Sequence, residues 1–187
     1  DPEHPASVYC LGGRYFFDDH RDAPDYQIAT YDFGKYAMTV EAGECTPYMQ
    51  VTPNEIRFGQ EFPNWRVDSD VIKILGTKRM MYAGRMGGGW QVFEKNGDVA
   101  AEHHSVYALK DHLVNFFDCI RSREKPNSDI VEGHKSSVAV HLANMSYRAG
   151  CKQLDFSPEY EVVTNNNKAQ ELAQYEYRKG FEMPKEI

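Results

Sequence analysis

The stretch "WQVFEKNGDVAAE", Trp90 to Glu102, decides the fold. Two extended runs flank Asn96-Gly97, a dipeptide that favours a tight hairpin because both residues accept positive φ. The runs before it, "VIKILGT" from Val71 and "RMMYAG" from Arg79, are rich in apolar residues and each carries a glycine at or near its end. Together they predict an antiparallel meander.

The pattern extends toward the N-terminus. "SVYCLGGRYFF", Ser7 to Phe17, reads as a strand, and "DDHRDAPD", Asp18 to Asp25, as a charged loop. "YQIATYDFGKYAMTVEAGE" holds two alternating runs joined at Phe33-Gly34-Lys35, with Tyr36, Met38 and Val40 on one face and Ala37, Thr39 and Glu41 on the other. That alternation predicts a second hairpin. The segment from Thr46 to Val67 is irregular.

Helical spacing takes over after the meander. Leu109, Leu113, Phe116, Phe117 and Ile120 share one face of a helix expected over Tyr107 to Arg123. A second helix is expected from Glu132-Gly133 to Arg148, with Val138, Leu142 and Met145 on one face and Gly150 placed to end it. A short strand "QLDF", a turn "NNNK" and a last helix around Ala169 to Gln174 follow. Strands first and helices later predict an α+β fold: an open, mostly antiparallel sheet with helices packed on one face.

Composition limits the function. A length of 187 residues suits a single domain, and 41% hydrophobic with 26% charged residues is ordinary for a soluble globular protein. No apolar run reaches the roughly 18 to 20 residues of a membrane span, and nothing near the start resembles a signal peptide. The chain opens Asp1-Pro2-Glu3 without Met, which points to a processed protein or a piece of a larger one. Its compartment is left undecided. A net charge of −7 argues against nucleic-acid binding.

Four cysteines, Cys10, Cys45, Cys119 and Cys151, stand far apart, form no C-x-x-C pair and read as free thiols. Glu102-His103-His104 puts neighbouring histidines on opposite faces of an extended chain, and His112, His134 and His141 lack zinc spacing. The acids of Asp18 to Asp25 lack the pattern of a calcium loop. No metal site is expected. Gly87-Gly88-Gly89 is followed by Trp90 and an extended run rather than a helix, so it reads as a strand connection and not a phosphate cradle. Glu124-Lys125-Pro126 follows an apolar helix face and reads as a helix end, with cations placed against the dipole and proline stopping the helix.

Several segments together resemble one family. "HLVNFFDCIRSREKPNSDIVEGHKSSVAVHLANMSYRAGCKQLDF", His112 to Phe156, resembles the C-terminal part of the Gfo/Idh/MocA oxidoreductases, the glucose-fructose oxidoreductase and inositol dehydrogenase superfamily. "KILGTKRMMYAGRMGGGWQVF", Lys73 to Phe93, is similar to that family's mid-domain strand pair. "GGRYFFDDHRDAPDYQIATYDF", Gly12 to Phe33, and the closing "YEYRKGF" also match.

The resemblance implies that residues 1–187 are one substrate-binding and oligomerisation domain of a larger enzyme whose N-terminal Rossmann domain lies outside the chain. That family's catalytic Glu-Lys-Pro belongs to the Rossmann domain, so Glu124-Lys125-Pro126 is not the matching position. No catalytic residue is expected here. The complete enzyme is expected to use NAD or NADP to move a hydride to or from a sugar or cyclitol, and the chain alone is expected to bind no cofactor and to be inactive. Self-association through the sheet is also expected.

Polar and aromatic residues in loops at strand ends are the candidates for the substrate wall: Arg21, Asp25, Tyr48, Trp65 and Arg66. The competing reading is a free-standing binding or assembly module with no activity.

Overall fold

A computed structural model describes residues 3–43, 48–174 and 176–182. Cys45 and Tyr175 lie outside them. In chain order the elements are β1 (Ser7–Gly13), β2 (Tyr26–Asp32), β3 (Ala37–Gly43), α1 (Asn54–Arg57), β4 (Val71–Leu75), β5 (Met80–Gly84) and β6 (Trp90–Phe93). They continue with β7 (Val99–His103), α2 (Leu109–Ser122), α3 (Ile130–Arg148), β8 (Leu154–Ser157), β9 (Val162–Val163) and α4 (Asn167–Glu171). The class is α+β, as the strand-then-helix order predicts.

The chain forms two compact units, one from Asp1–Cys45 with Ser128–Ile187 and the other from Thr46–Asn127. The strands accordingly make two open antiparallel sheets, ordered β3-β2-β1-β8-β9 and β4-β5-β6-β7, where the sequence suggests one. The division arises because β8 pairs with β1, placing Leu154 opposite Val8, instead of extending the central meander.

In the first unit, alternation along β1 sorts side chains between two faces. Val8 and Cys10 are buried, whereas Tyr9 and Leu11 are exposed. The buried face carries Ala29, Tyr31, Leu154 and Phe156 and packs against Leu142, Met145 and Ala149 of α3 and its end. Each large aliphatic side chain so covered contributes about 1.5 to 3 kcal/mol. The Tyr31 hydroxyl donates to the Ala139 carbonyl at 3.0 Å, and burial pushes its pKa up to about 12. Asp129 caps α3 by accepting from the Val131 amide at 2.8 Å. Gly150, at φ 91°, ends it.

The second unit is the predicted meander. Gly97 turns β6 into β7 at φ 92°, and a register shift follows Val92. Gly87, Gly88 and Gly89 all have positive φ and join β5 to β6. A Cβ on Gly89 would collide with the His103 carbonyl oxygen, and one on Gly88 would press the Pro63 ring. The run is glycine because backbone and ring approach it closely.

α2 buries none of its residues. Leu113, Phe116, Phe117 and Ile120 are all exposed, so the apolar stripe read from the sequence exists but is left uncovered. The helix stops at Arg123, whose φ of 62° takes it out of the helical region. Lys125 therefore lies beyond the last turn rather than in it, and Arg121 is the cation at the dipole end.

Candidate functional site

The register of the second sheet aligns one residue from each strand on the same face. Lys73 of β4 stands opposite Tyr82 of β5, Tyr82 opposite Gln91 of β6, and Gln91 opposite Glu102 of β7. Successive strands are about 4.8 Å apart, so the four form a transverse row across the sheet. A cation stands at one end and a carboxylate at the other.

Trp65 covers the middle of this row. Its ring stacks on Tyr82 with centroids 5.9 Å apart and planes within 7°. Its Nε1 donates to Gln91 Oε1 at 2.8 Å, and Gln91 Nε2 donates to Glu102 Oε2 at 2.7 Å. The carboxylate thus orients the amide, and the amide orients the indole. Phe93 meets Tyr82 edge to face at 6.0 Å, and the Lys73 ammonium lies 5.7 Å from the Tyr82 centroid.

The loop carrying Trp65 is pinned from below. Thr52 Oγ1 donates to the buried Asp68 carboxylate at 3.0 Å, and Asp68 also accepts from the Asp70 amide at 2.8 Å. Gln50 donates its amide to the Val67 carbonyl at 2.7 Å. These bonds hold both ends of the loop, so Trp65 reaches the sheet from a fixed base. The result is an open depression of about 680 Å³ walled by Pro63, Trp65, Arg66, Lys73, Tyr82 and Phe93.

Of the five residues expected to line a substrate wall, Trp65 and Arg66 meet here. Tyr48 belongs to the same unit and is 81% exposed, but it does not line the depression. Arg21 and Asp25 belong to the first unit. Arg21 pairs with Asp19 at 2.7 Å and lies 4.5 Å from the Phe17 ring centroid. Asp25 is buried, and its carboxylate accepts from the amides of Tyr15, Phe16 and Phe17 at 2.8 to 3.0 Å. Those amides, the Tyr15 amide foremost, hold its pKa below the usual carboxylate range.

Lys73, Tyr82, Gln91 and Glu102 escape a sequence reading that looks to loops. Each is one letter of an alternating strand, and only the pairing register brings them onto one row.

The first unit has a concavity of about 430 Å³ between α3, β9 and α4, with Leu142, Met145, Phe156 and Val163 as apolar walls. The His134 ring and Glu161 meet on its rim at 2.8 Å. Among the described residues it has no stacked aromatic face. Among the described residues no cluster of His, Cys, Asp and Glu could hold a metal ion, and no helix is long and apolar enough to cross a membrane.

Comparison with known proteins bears on this sheet directly. Residues 78–183, more than half of the chain, match the model of the Gfo/Idh/MocA oxidoreductase family, C-terminal alpha/beta domain. The chain belongs to this oxidoreductase family. The matched span begins just before β5 and takes in Tyr82, Gln91 and Glu102.

Solved structures share the fold. The chain is similar to yvaA from Bacillus subtilis, with 12% identity and a TM-score of 0.54 over 82% of this chain and 47% of that one. A Thermotoga maritima protein shares 15% identity and a TM-score of 0.54 over 80% and 40% of the two chains. A Klebsiella pneumoniae protein shares 10% and 0.53 over 91% and 47%. Each carries a provisional oxidoreductase assignment. The chain spans less than half the length of these structures, and at such identities the likeness is one of fold. Curated proteins yield no match.

Proposed function

We propose that residues 1–187 serve as the substrate-binding and oligomerisation part of an oxidoreductase that acts on a sugar or cyclitol with NAD or NADP. The observation that carries this reading is the Trp65–Tyr82 stack held over the Lys73–Gln91–Glu102 row, in a chain of the Gfo/Idh/MocA family. Sugar rings present C–H faces that lie on aromatic surfaces and hydroxyls that bond to charged and amide groups at the edges. Trp65, backed by Tyr82, supplies the surface, and Arg66 and Lys73 supply the edges.

The described residues do not fit a dinucleotide. The one glycine run joins two strands and closes on Pro63 and His103, whereas a pyrophosphate is held by the first amides of a helix. The cofactor, which carries the hydride, therefore belongs in this reading to a Rossmann domain outside the chain. The part played here is to position the sugar.

Calorimetry with glucose and with inositol on the 187-residue chain tests the proposal. Millimolar binding of at least one, lost in Trp65→Ala with the fold retained by circular dichroism, is the expected result. Failure to bind any sugar, charged sugars included, would overturn it. Titration with NADH tests the cofactor assignment, and micromolar binding would refute that part alone.

Assembly is proposed through the opposite face of the same sheet, where Ile72 and Ile74 are 52% and 51% exposed beside Met81, Trp90 and Val92 in register. Apolar side chains grouped on an open face are commonly buried by a partner.

A further inference from the structure

The charges around the depression are one-sided. Arg66 and Lys73 line it, and no acidic side chain does. Neither cation forms an ion pair among the described residues, unlike Arg79 with Glu94 at 2.6 Å or Arg85 with Asp70 at 3.5 Å on the same unit. Glu102, at the far end of the row, stands outside the lining and already accepts from Gln91. The chain as a whole carries a net charge of −7, so its general field repels anions. Two unpaired cations at one aromatic depression run against that trend.

We infer that the ligand of this depression is an anionic sugar, one carrying a carboxylate or a phosphate beside the ring. This rests on the sugar reading above and adds the charge. The Lys73 ammonium stands over the Tyr82 ring, 5.7 Å from its centroid, and Tyr82 in turn stacks on Trp65, so this cation is at hand for an anionic substituent on a sugar bound against the stack. Arg66 follows Trp65 in the loop and offers a planar fork suited to either oxyanion. A neutral sugar leaves both cations without a counter-charge. An anionic one gains charge-assisted hydrogen bonds, which are stronger than neutral ones.

The test is calorimetry of the full chain at low salt with glucose, glucuronate, glucose 6-phosphate and inorganic phosphate. Glucuronate or glucose 6-phosphate is expected to bind about tenfold tighter than glucose, a difference of about 1.4 kcal/mol, and the tighter of the two identifies the anionic group. Lys73→Met is expected to lower that ratio, and the double variant Arg66→Met, Lys73→Met to bring it close to one. Lys73 is exposed, so the variant is expected to keep its fold, which a thermal melt verifies. Equal affinity for glucose and both anionic sugars would overturn the inference and leave the sugar reading standing. Inorganic phosphate binding as tightly as glucose 6-phosphate would reduce the site to a simple anion site and overturn it too. If no sugar binds, both readings fall.

Discussion

The Ser146 hydroxyl joins α3 to β1: its Oγ accepts from the Cys10 amide at 2.8 Å across 136 residues of sequence and donates to the Lys152 carbonyl at 2.6 Å. Ser146 has no solvent exposure. Ser146→Ala leaves a buried amide and a carbonyl without their partner, a loss of about 1 to 3 kcal/mol. Urea denaturation of parent and variant measures it, and a difference under about 0.5 kcal/mol would contradict the assigned role.

Gly89 has φ of 69° and no room for a side chain against His103 and His104. Gly89→Ala combines backbone strain with overpacking and is expected to cost at least about 2 kcal/mol. Gly97 also has positive φ but is open to space, so Gly97→Ala is expected to cost less. Chemical denaturation that ranks the two the other way would show that the triglycine packing is misassigned.

Asp25 gives a prediction with a definite sign. Its carboxyl is held below the ordinary aspartate value by the amides of Tyr15, Phe17 and Phe16, so its contribution is present above about pH 4. That contribution disappears as pH falls through the depressed value. Asp25→Asn is expected to lower the melting temperature at pH 7, and the gap from the parent is expected to narrow as pH falls through the depressed value. A gap that stays constant with pH would indicate a shape effect instead of a charge effect.

Lys125 is exposed and lies beyond the end of α2. In a complete enzyme, Lys125→Ala is expected to change kcat less than about twofold and stability by no more than about 0.5 kcal/mol. A fall of about 100-fold in kcat with the fold intact would mark Lys125 as a proton-transfer group.

The local features were legible before the structure. Asn96-Gly97, Gly34 and Gly150 each mark a turn through their own backbone freedom, and the spacing of Leu142 and Met145 marks a helix face; nothing distant is needed to read them. The β8–β1 pairing was not legible, because Val8 and Leu154 meet only after the intervening chain has folded. α1 is four residues long and carries too little periodicity to detect.

The candidate site divides the same way. Trp65 and Arg66 could be named from residue type and loop position. Tyr82, Gln91 and Glu102 could not, since their shared face depends on how many residues each turn consumes. Asp25 resembles any loop acid in the letters. Its role depends on the path that brings three consecutive amides to it.

The interrupted layout of the first unit sets an order of events during synthesis. Ser7 pairs with Asp155, so a nascent chain holds Val8, Cys10, Ala29 and Tyr31 without their covering helix until α3 leaves the ribosome. The meander from β4 to β7 pairs only neighbours in sequence and can close early, because short loops lose little entropy on closure. The inserted unit is thus made and folded while the host unit still waits for its second half. For those seconds of translation, at about 5 to 20 residues per second, β1 to β3 wait with their apolar face uncovered.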